Sequence, residues 1–159
     1  MAINYTVKMK NKKLNEQILI KTFEDLGFKI ENIERLSKGI CIDFFEELGF
    51  YVYLTDASNY PYNSWKTMFS EEEFVYERTL QFRFDKEYED LGKRYSVMLS
   101  VVFGLLINLK EEAIFISNDD KELCLFKENG KIILNNEDEI WNRNYFKDVI
   151  LNKNISYYV

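Results

Sequence analysis

Histidine is missing from all 159 residues of this chain, cysteine occurs twice, proline once and glycine six times. Without histidine the commonest general base and metal ligand is gone. Ser-His-Asp and Cys-His nucleophile arrangements go with it, as do histidine-containing zinc sites. Cys41 and Cys124 are too few for a thiolate zinc cluster and form no CxxC pair. They read as buried thiols of a cytosolic protein. The opening Met-Ala-Ile-Asn-Tyr lacks the charged-then-apolar layout of a secretion signal, so a cytoplasmic location is expected. No GxGxxG or GxxxxGK(S/T) phosphate loop occurs, and no cofactor is expected. The longest apolar run, Val97 to Leu109, is interrupted by Ser100, Gly104 and Asn108. It is shorter than the ~18–20 residues of a membrane span. A buried helix is the better reading, with no membrane partner.

What is present is a core. Hydrophobic residues make up 47% of the chain and aromatics 16%, too apolar a composition for a disordered chain. The length fits one domain, residues 1–159, able to bury a sizeable interior without disulfides or metals. The formal charge is −6 and the isoelectric point near 4.9. Such a surface repels phosphates and disfavours nucleic-acid binding. It suits a basic partner, although mild acidity also serves plain solubility. The charge is uneven: Glu71 to Asp90 holds eight acids and three bases, a balance of −5. Met1 to Gly27 holds five bases and three acids, a balance of +2.

Periodicity supplies the elements. Ile3, Tyr5, Val7 and Met9 alternate with polar residues as a first strand. Leu14, Ile18, Leu19, Phe23 and Leu26 follow helical spacing, and Gly27 stands where a left-handed cap is wanted. Phe28 to Leu36 reads as a strand and Ser37-Lys38-Gly39 as a turn. Two strands follow, one on Ile40, Ile42 and Phe44, the next on Phe50, Val52 and Leu54, with a turn at Glu46 to Gly49. A strand from Phe74 to Asp85 puts Phe74, Tyr76, Leu80, Phe82 and Phe84 on one parity. Arg78 interrupts that apolar side, marking an end, a bulge or a functional charge. Tyr88 to Leu109 turns helical and should be the central core helix. The end reads as a meander: Ala113 to Ser117, Glu122 to Phe126 and Lys131 to Leu134. Two-residue turns at Asp119-Asp120 and Asn129-Gly130 would put Ile114, Ile116, Leu123, Leu125, Ile132 and Leu134 on one face. Trp141, Tyr145 and Phe146 suggest a short helix, and Ile155 to Val159 an edge strand. The expected class is α+β, a mostly antiparallel sheet packed against two helices, in the order β-α-β-β-β-β-α-β-β-β.

Two features stand outside this frame. Carboxylates cluster at Glu46-Glu47, Glu71-Glu72-Glu73, Asp119-Asp120 and Glu137-Asp138-Glu139. A two-carboxylate hydrolase or an oxygen-ligand metal site is conceivable from such groups, but none has a calcium-loop spacing, and a solvated face explains them more simply. The second feature is the long segment Asp56 to Glu72, which has no clean period. Segments this long are often functional. It interleaves Tyr60, Tyr62 and Trp65 with polar residues, beside the acidic stretch. Aromatic anchors next to charge suit a protein interface; rings that cover the core from outside are the alternative.

The succession Leu80-Gln81-Phe82-Arg83-Phe84-Asp85-Lys86, the helix Tyr95 to Leu109, Ala113-Ile114-Phe115-Ile116-Ser117-Asn118-Asp119, and Leu123 to Asn135 with its Asn129-Gly130 hairpin resembles the Sit-type immunity proteins of bacterial toxin–immunity pairs. The opening strand and amphipathic helix are similar too, and Glu112 fills the acidic place before the strand. The resemblance covers about two-thirds of the chain and rests on hydrophobic spacing and a hairpin. It implies a non-enzymatic protein that binds and blocks one cognate protein toxin. A cationic, nuclease-like surface on that toxin would suit the acidity, with Tyr60, Tyr62, Trp65, Glu71, Glu72 and Glu73 as expected contacts. An adaptor or chaperone-like module of a secretion or phage system is the alternative. A carboxylate hydrolase would need two acids converging in one pocket.

Overall fold

In the computed structural model, which describes residues 3–87, 91–137 and 139–158, alternating apolar and polar residues build a nine-stranded sheet. Strand β1 (Ile3–Met9) lies near its middle, paired antiparallel with β7 (Arg78–Phe84) on one side and β8 (Ala113–Ile116) on the other. Beyond β7 come β4 (Phe50–Asp56), β3 (Gly39–Phe44) and β2 (Ile33–Leu36). Beyond β8 come β9 (Glu122–Phe126), β10 (Ile132–Asn135) and β11 (Ile155–Tyr158). Among the described residues of this sheet, only the β10–β11 pair is parallel. The class is α+β, as the periodicities predict.

One face of this sheet carries the core. Ile3, Tyr5 and Val7 of β1 stand opposite Phe84, Phe82 and Leu80 of β7, and Met9 extends the β1 side of the core opposite Arg78. Phe50, Val52 and Leu54 of β4 continue the same rows. Fully burying each such side chain contributes about 1.5–3 kcal/mol. Helix α1 (Glu16–Asp25) adds Leu19 and Phe23. Helix α3 (Leu91–Leu109) adds Met98, Leu99, Val102, Phe103 and Leu106. The expected start of that helix at Tyr88 lies outside the described residues. A 3-10 turn (Glu139–Asn142) and α4 (Asn144–Ile150) close the core with Trp141 and Phe146.

Helix α1 begins and ends on local chemistry. The Asn15 side chain accepts from the Ile18 amide at 2.9 Å. At the other end the Phe28 amide donates to Phe23 O and the Gly27 amide to Glu24 O, with Gly27 at φ 93°. This is a Schellman closure. It turns Phe28 back toward the core, so the strand expected from Phe28 begins only at Ile33. The turn expected at Glu46 to Gly49 is a single helical turn, α2 (Phe45–Leu48).

Two registers differ from expectation. Leu123 is a bulged residue: Phe115 pairs with Cys124 but Ile116 with Glu122. The last hairpin closes Lys127 on Lys131 around three residues, with Gly130 at φ 85°, instead of two. One extra residue inverts strand parity. Leu123, Ile132 and Leu134 therefore enter the main core, while Ile114, Ile116 and Leu125 point to the opposite face. The expected strand from Phe74 to Asp85 also divides. A two-residue β6 (Phe74–Val75) pairs with β5 (Ser64–Trp65), and β7 starts afresh at Arg78. Phe74 and Tyr76 then pack on the second face while Leu80, Phe82 and Phe84 face the core.

Two glycines with opposite surroundings give a stability test. A Cβ on Gly39, which opens β3, would lie 1.9 Å from the Leu54 carbonyl oxygen; at Gly104, exposed in α3, it would meet nothing within 4 Å. Gly39→Ala should cost roughly 2–4 kcal/mol in urea unfolding by forcing β3 off β4. Gly104→Ala should gain about 0.5–1 kcal/mol from backbone entropy.

Candidate functional site

The second face of the sheet is covered on one half. The segment between β4 and β7 folds over β8, β9 and β10. Phe74 packs with Ile114, Ile116 and Leu125, and Trp65, Phe69, Tyr76 and Ile133 complete the cluster. Phe69 also meets Tyr158 of β11 edge-on, with centroids 5.5 Å apart. The Glu122 carboxylate ties this cover down. It accepts from Trp65 Nε1 at 3.0 Å through one oxygen and from the Met68 amide at 2.8 Å through the other. Glu122 is only 8% exposed. Lys8 supplies a second tie: its ammonium lies 4.7 Å from the Trp65 ring centre and 4.3 Å from that of Tyr76.

The outer rim of the segment carries five of the six residues singled out from sequence. Tyr60 and Tyr62 are 61% and 81% exposed, and Glu71, Glu72 and Glu73 are exposed beside them in sequence. Glu73 and Tyr60 meet: the Tyr60 hydroxyl donates to one Glu73 oxygen at 2.8 Å. The Ser64 hydroxyl donates to the other at 2.6 Å. These bonds hold the Glu73 carboxyl below its usual range, Ser64 more than Tyr60, and the same carboxylate raises the Tyr60 hydroxyl. Trp65 stands apart, half-buried against Glu122. Sequence reasoning did not single out Ser64, Lys8 or Glu122. For Glu122 the signal was an acid opening an otherwise apolar strand.

Arg78, the break in the apolar pattern, is both a strand end and an internal charge. Its guanidinium donates twice to one Asp56 oxygen, at 3.0 and 2.8 Å, and to Leu14 O at 2.7 Å. It thereby fixes both ends of the Asp56-to-Arg78 excursion to the chain just before α1, and holds the Asp56 carboxyl below its ordinary range. Glu111, after α3, is fully buried. One of its oxygens accepts from the Asn11 amide at 2.8 Å and the other has no hydrogen-bond partner among the described residues. Burial pushes this carboxyl upward; Asn11 and the Lys13 charge oppose that, and Glu128 adds to it.

The other carboxylates are dispersed. Glu46 and Glu47 stand exposed on α2 and Asp119-Asp120 in a turn, while Asp138 and the Glu139 side chain lie outside the described residues. Among the described residues, no three His, Cys, Asp or Glu side chains are placed to hold a metal ion. No described helix is long and apolar enough to cross a membrane. A family model described as SitI3-like matches residues 3–144. No curated protein and no solved structure matches the chain.

Glu122 and Glu111 generate separate predictions. Removing the Glu122 carboxylate strands two shielded donors, at about 1–3 kcal/mol each. Glu122→Ala should therefore lower unfolding free energy by about 3 kcal/mol, with Glu122→Gln intermediate. Glu73→Ala, at the exposed rim, should leave melting nearly unchanged and speed amide exchange over residues 59–65. Glu111 holds its proton to higher pH when folded than when unfolded, so stability falls as pH rises through that window. The unfolding free energy of the native chain relative to Glu111→Gln should thus increase from pH 8 to pH 5. A difference constant with pH would contradict this.

Proposed function

From its membership of the SitI3-like family, shown by the match over residues 3–144, we infer that this chain is an immunity protein that binds a cognate bacterial toxin and blocks it without catalysis. The observation that carries the reading is the rim of the segment over the second face. Tyr60 and Tyr62 project there, with Glu71, Glu72 and Glu73 in the same excursion. Tyrosines offer large, stiff contact area, and carboxylates around them speed encounter with a cationic surface. Glu73 pre-orders the rim by holding Tyr60 and Ser64, which reduces the entropy lost on binding. Trp65 contributes from beneath, through the cover it anchors. A basic toxin surface, such as that around a nuclease active site, fits this charge. The chain would act in the cytoplasm of the cell it protects.

The test is co-expression with the product of the adjacent upstream gene, read by growth rescue and by pull-down. Rescue with a stable complex is expected. A complex without rescue favours an adaptor or chaperone-like role, and no complex rules the immunity reading out. Within the complex, the double variant Glu71→Lys, Glu72→Lys should slow association about tenfold at low salt, and the deficit should shrink as salt screens the charges.

A further inference from the structure

The half of the second face beside the cover is bare. No residue of the second cluster comes from β7, β4 or β3, and apart from the buried Cys41 the side chains there are half-buried or exposed. Registers place them in rows across the strands. One row runs Asn4, Arg83, Tyr51, Asp43; the next runs Thr6, Gln81, Tyr53, Cys41. Thr6 pairs with Ile116 and Lys8 with Ile114, so this floor and the covered half share one side of the sheet. The cover is then a wall along β1, and floor and wall form a step.

The far edge of the floor is built for contact. Phe45 is 39% exposed, and its ring lies 5.9 Å from that of Tyr51. The Asp43 carboxylate accepts from the Phe45 amide at 2.9 Å and fixes the turn that presents the ring. Beside this pair is a hollow of about 180 Å³ lined by Glu31, Asp43, Glu46 and Glu47, with Lys29 as its base. Lys29 itself is paired with Glu31 at 3.5 Å. An aromatic pair rimmed by carboxylates fits a guanidinium, which can stack on a ring while its N–H groups reach acids. Arg83, exposed in mid-floor, bonds the neighbouring Tyr53 and keeps further N–H groups for an acceptor on the partner.

We propose that this bare floor, with the Phe45–Tyr51 pair as its anchor, is the main docking surface for the toxin, whose facing element presents an arginine to the Asp43–Glu46 rim and an acceptor to Arg83. The proposal rests on the immunity reading and deepens it. Size supports the step as a unit. Four strands about 4.8 Å apart and six residues of about 3.3 Å give roughly 400 Å². That is half of the ~800 Å² per partner of a standard interface. The wall with Tyr60 and Tyr62 is adjacent and supplies the remainder.

Titration calorimetry of the full chain against the purified product of the adjacent upstream gene tests this, once growth rescue has identified that product as the toxin and its activity has been inactivated by substitution. Phe45→Ser with Tyr51→Ser should weaken binding at least 100-fold. Gln81→Arg, which places bulk in mid-floor without touching the core, should weaken it at least tenfold and covers the case in which the double variant does not fold. Tight binding by the unaltered chain, with the folded floor variants within threefold of it, overturns the floor and leaves the immunity reading standing. Absence of binding by the unaltered chain overturns both.

Discussion

A nine-stranded sheet has two faces to satisfy, and α1, α3 and α4 pack in the cluster on one of them. The apolar residues that β8, β9 and β10 turn to the other side must be covered by irregular chain. Irregular chain over an apolar surface brings polar groups with it, and these need partners. Glu122 is the solution: one shielded carboxylate accepts from the Trp65 indole and the Met68 backbone together. The cover, the rim it carries and the wall beside the bare floor all depend on that pair of bonds. Arg78 performs the complementary task at the base of the excursion, binding Asp56 and the chain before α1.

Net charge consequently overstates what a partner can feel. Of the 27 acids in the chain, several are turned inward or committed. Glu122 and Glu111 are buried, Asp56 is paired with Arg78 and Lys12, and Glu73 accepts from two hydroxyls. Solvated pairs such as Lys21–Asp25 contribute little to stability and little to the outer field. Exposed acids remain over much of the surface, from Glu24 and Asp25 on α1 to Glu128 and Asp148; on the second face they stand at the Glu71–Glu72 rim and at the α2 edge with Asp43 and Glu46. Local groups of this kind, more than the total of −6, decide where charge steers an encounter.

The helices and the strands of the main core were legible because each has one buried side and hence a clear period. Ile3 to Met9 and Phe50 to Leu54 alternate without exception. The meander was legible as strands but not as faces. Ala113, Phe115, Cys124 and Phe126 are as apolar as their neighbours of opposite parity, because the cover buries both sides. With both parities apolar, pattern could not detect the bulge at Leu123 or the third loop residue before Lys131. The Asp56-to-Glu72 segment was legible only as an anomaly. Its order comes from Glu122 and Lys8, which are distant in sequence, so no local window contains its cause. The floor was missed for a related reason. Tyr51, Tyr53, Gln81 and Arg83 looked like the ordinary solvent side of alternating strands, and only the register brings them together.

The separation of the two faces has a consequence for how such a protein can change. Core rows and floor rows alternate along the same strands, so every second residue is committed to packing and, buried Cys41 apart, the intervening one is not. Substitution at Tyr51, Gln81 or Arg83 leaves Phe50, Val52, Phe82 and Phe84 in place, and exposed positions away from packed features usually shift stability by less than about 0.5 kcal/mol. The rim residues are similarly outside the second cluster, whereas Trp65 and Phe69 lie within it. A scaffold divided in this way can alter its contacts without renegotiating its fold. A protein required to match one partner closely, while that partner changes, needs that freedom, and the polar parity of β1, β7, β4 and β3 provides it.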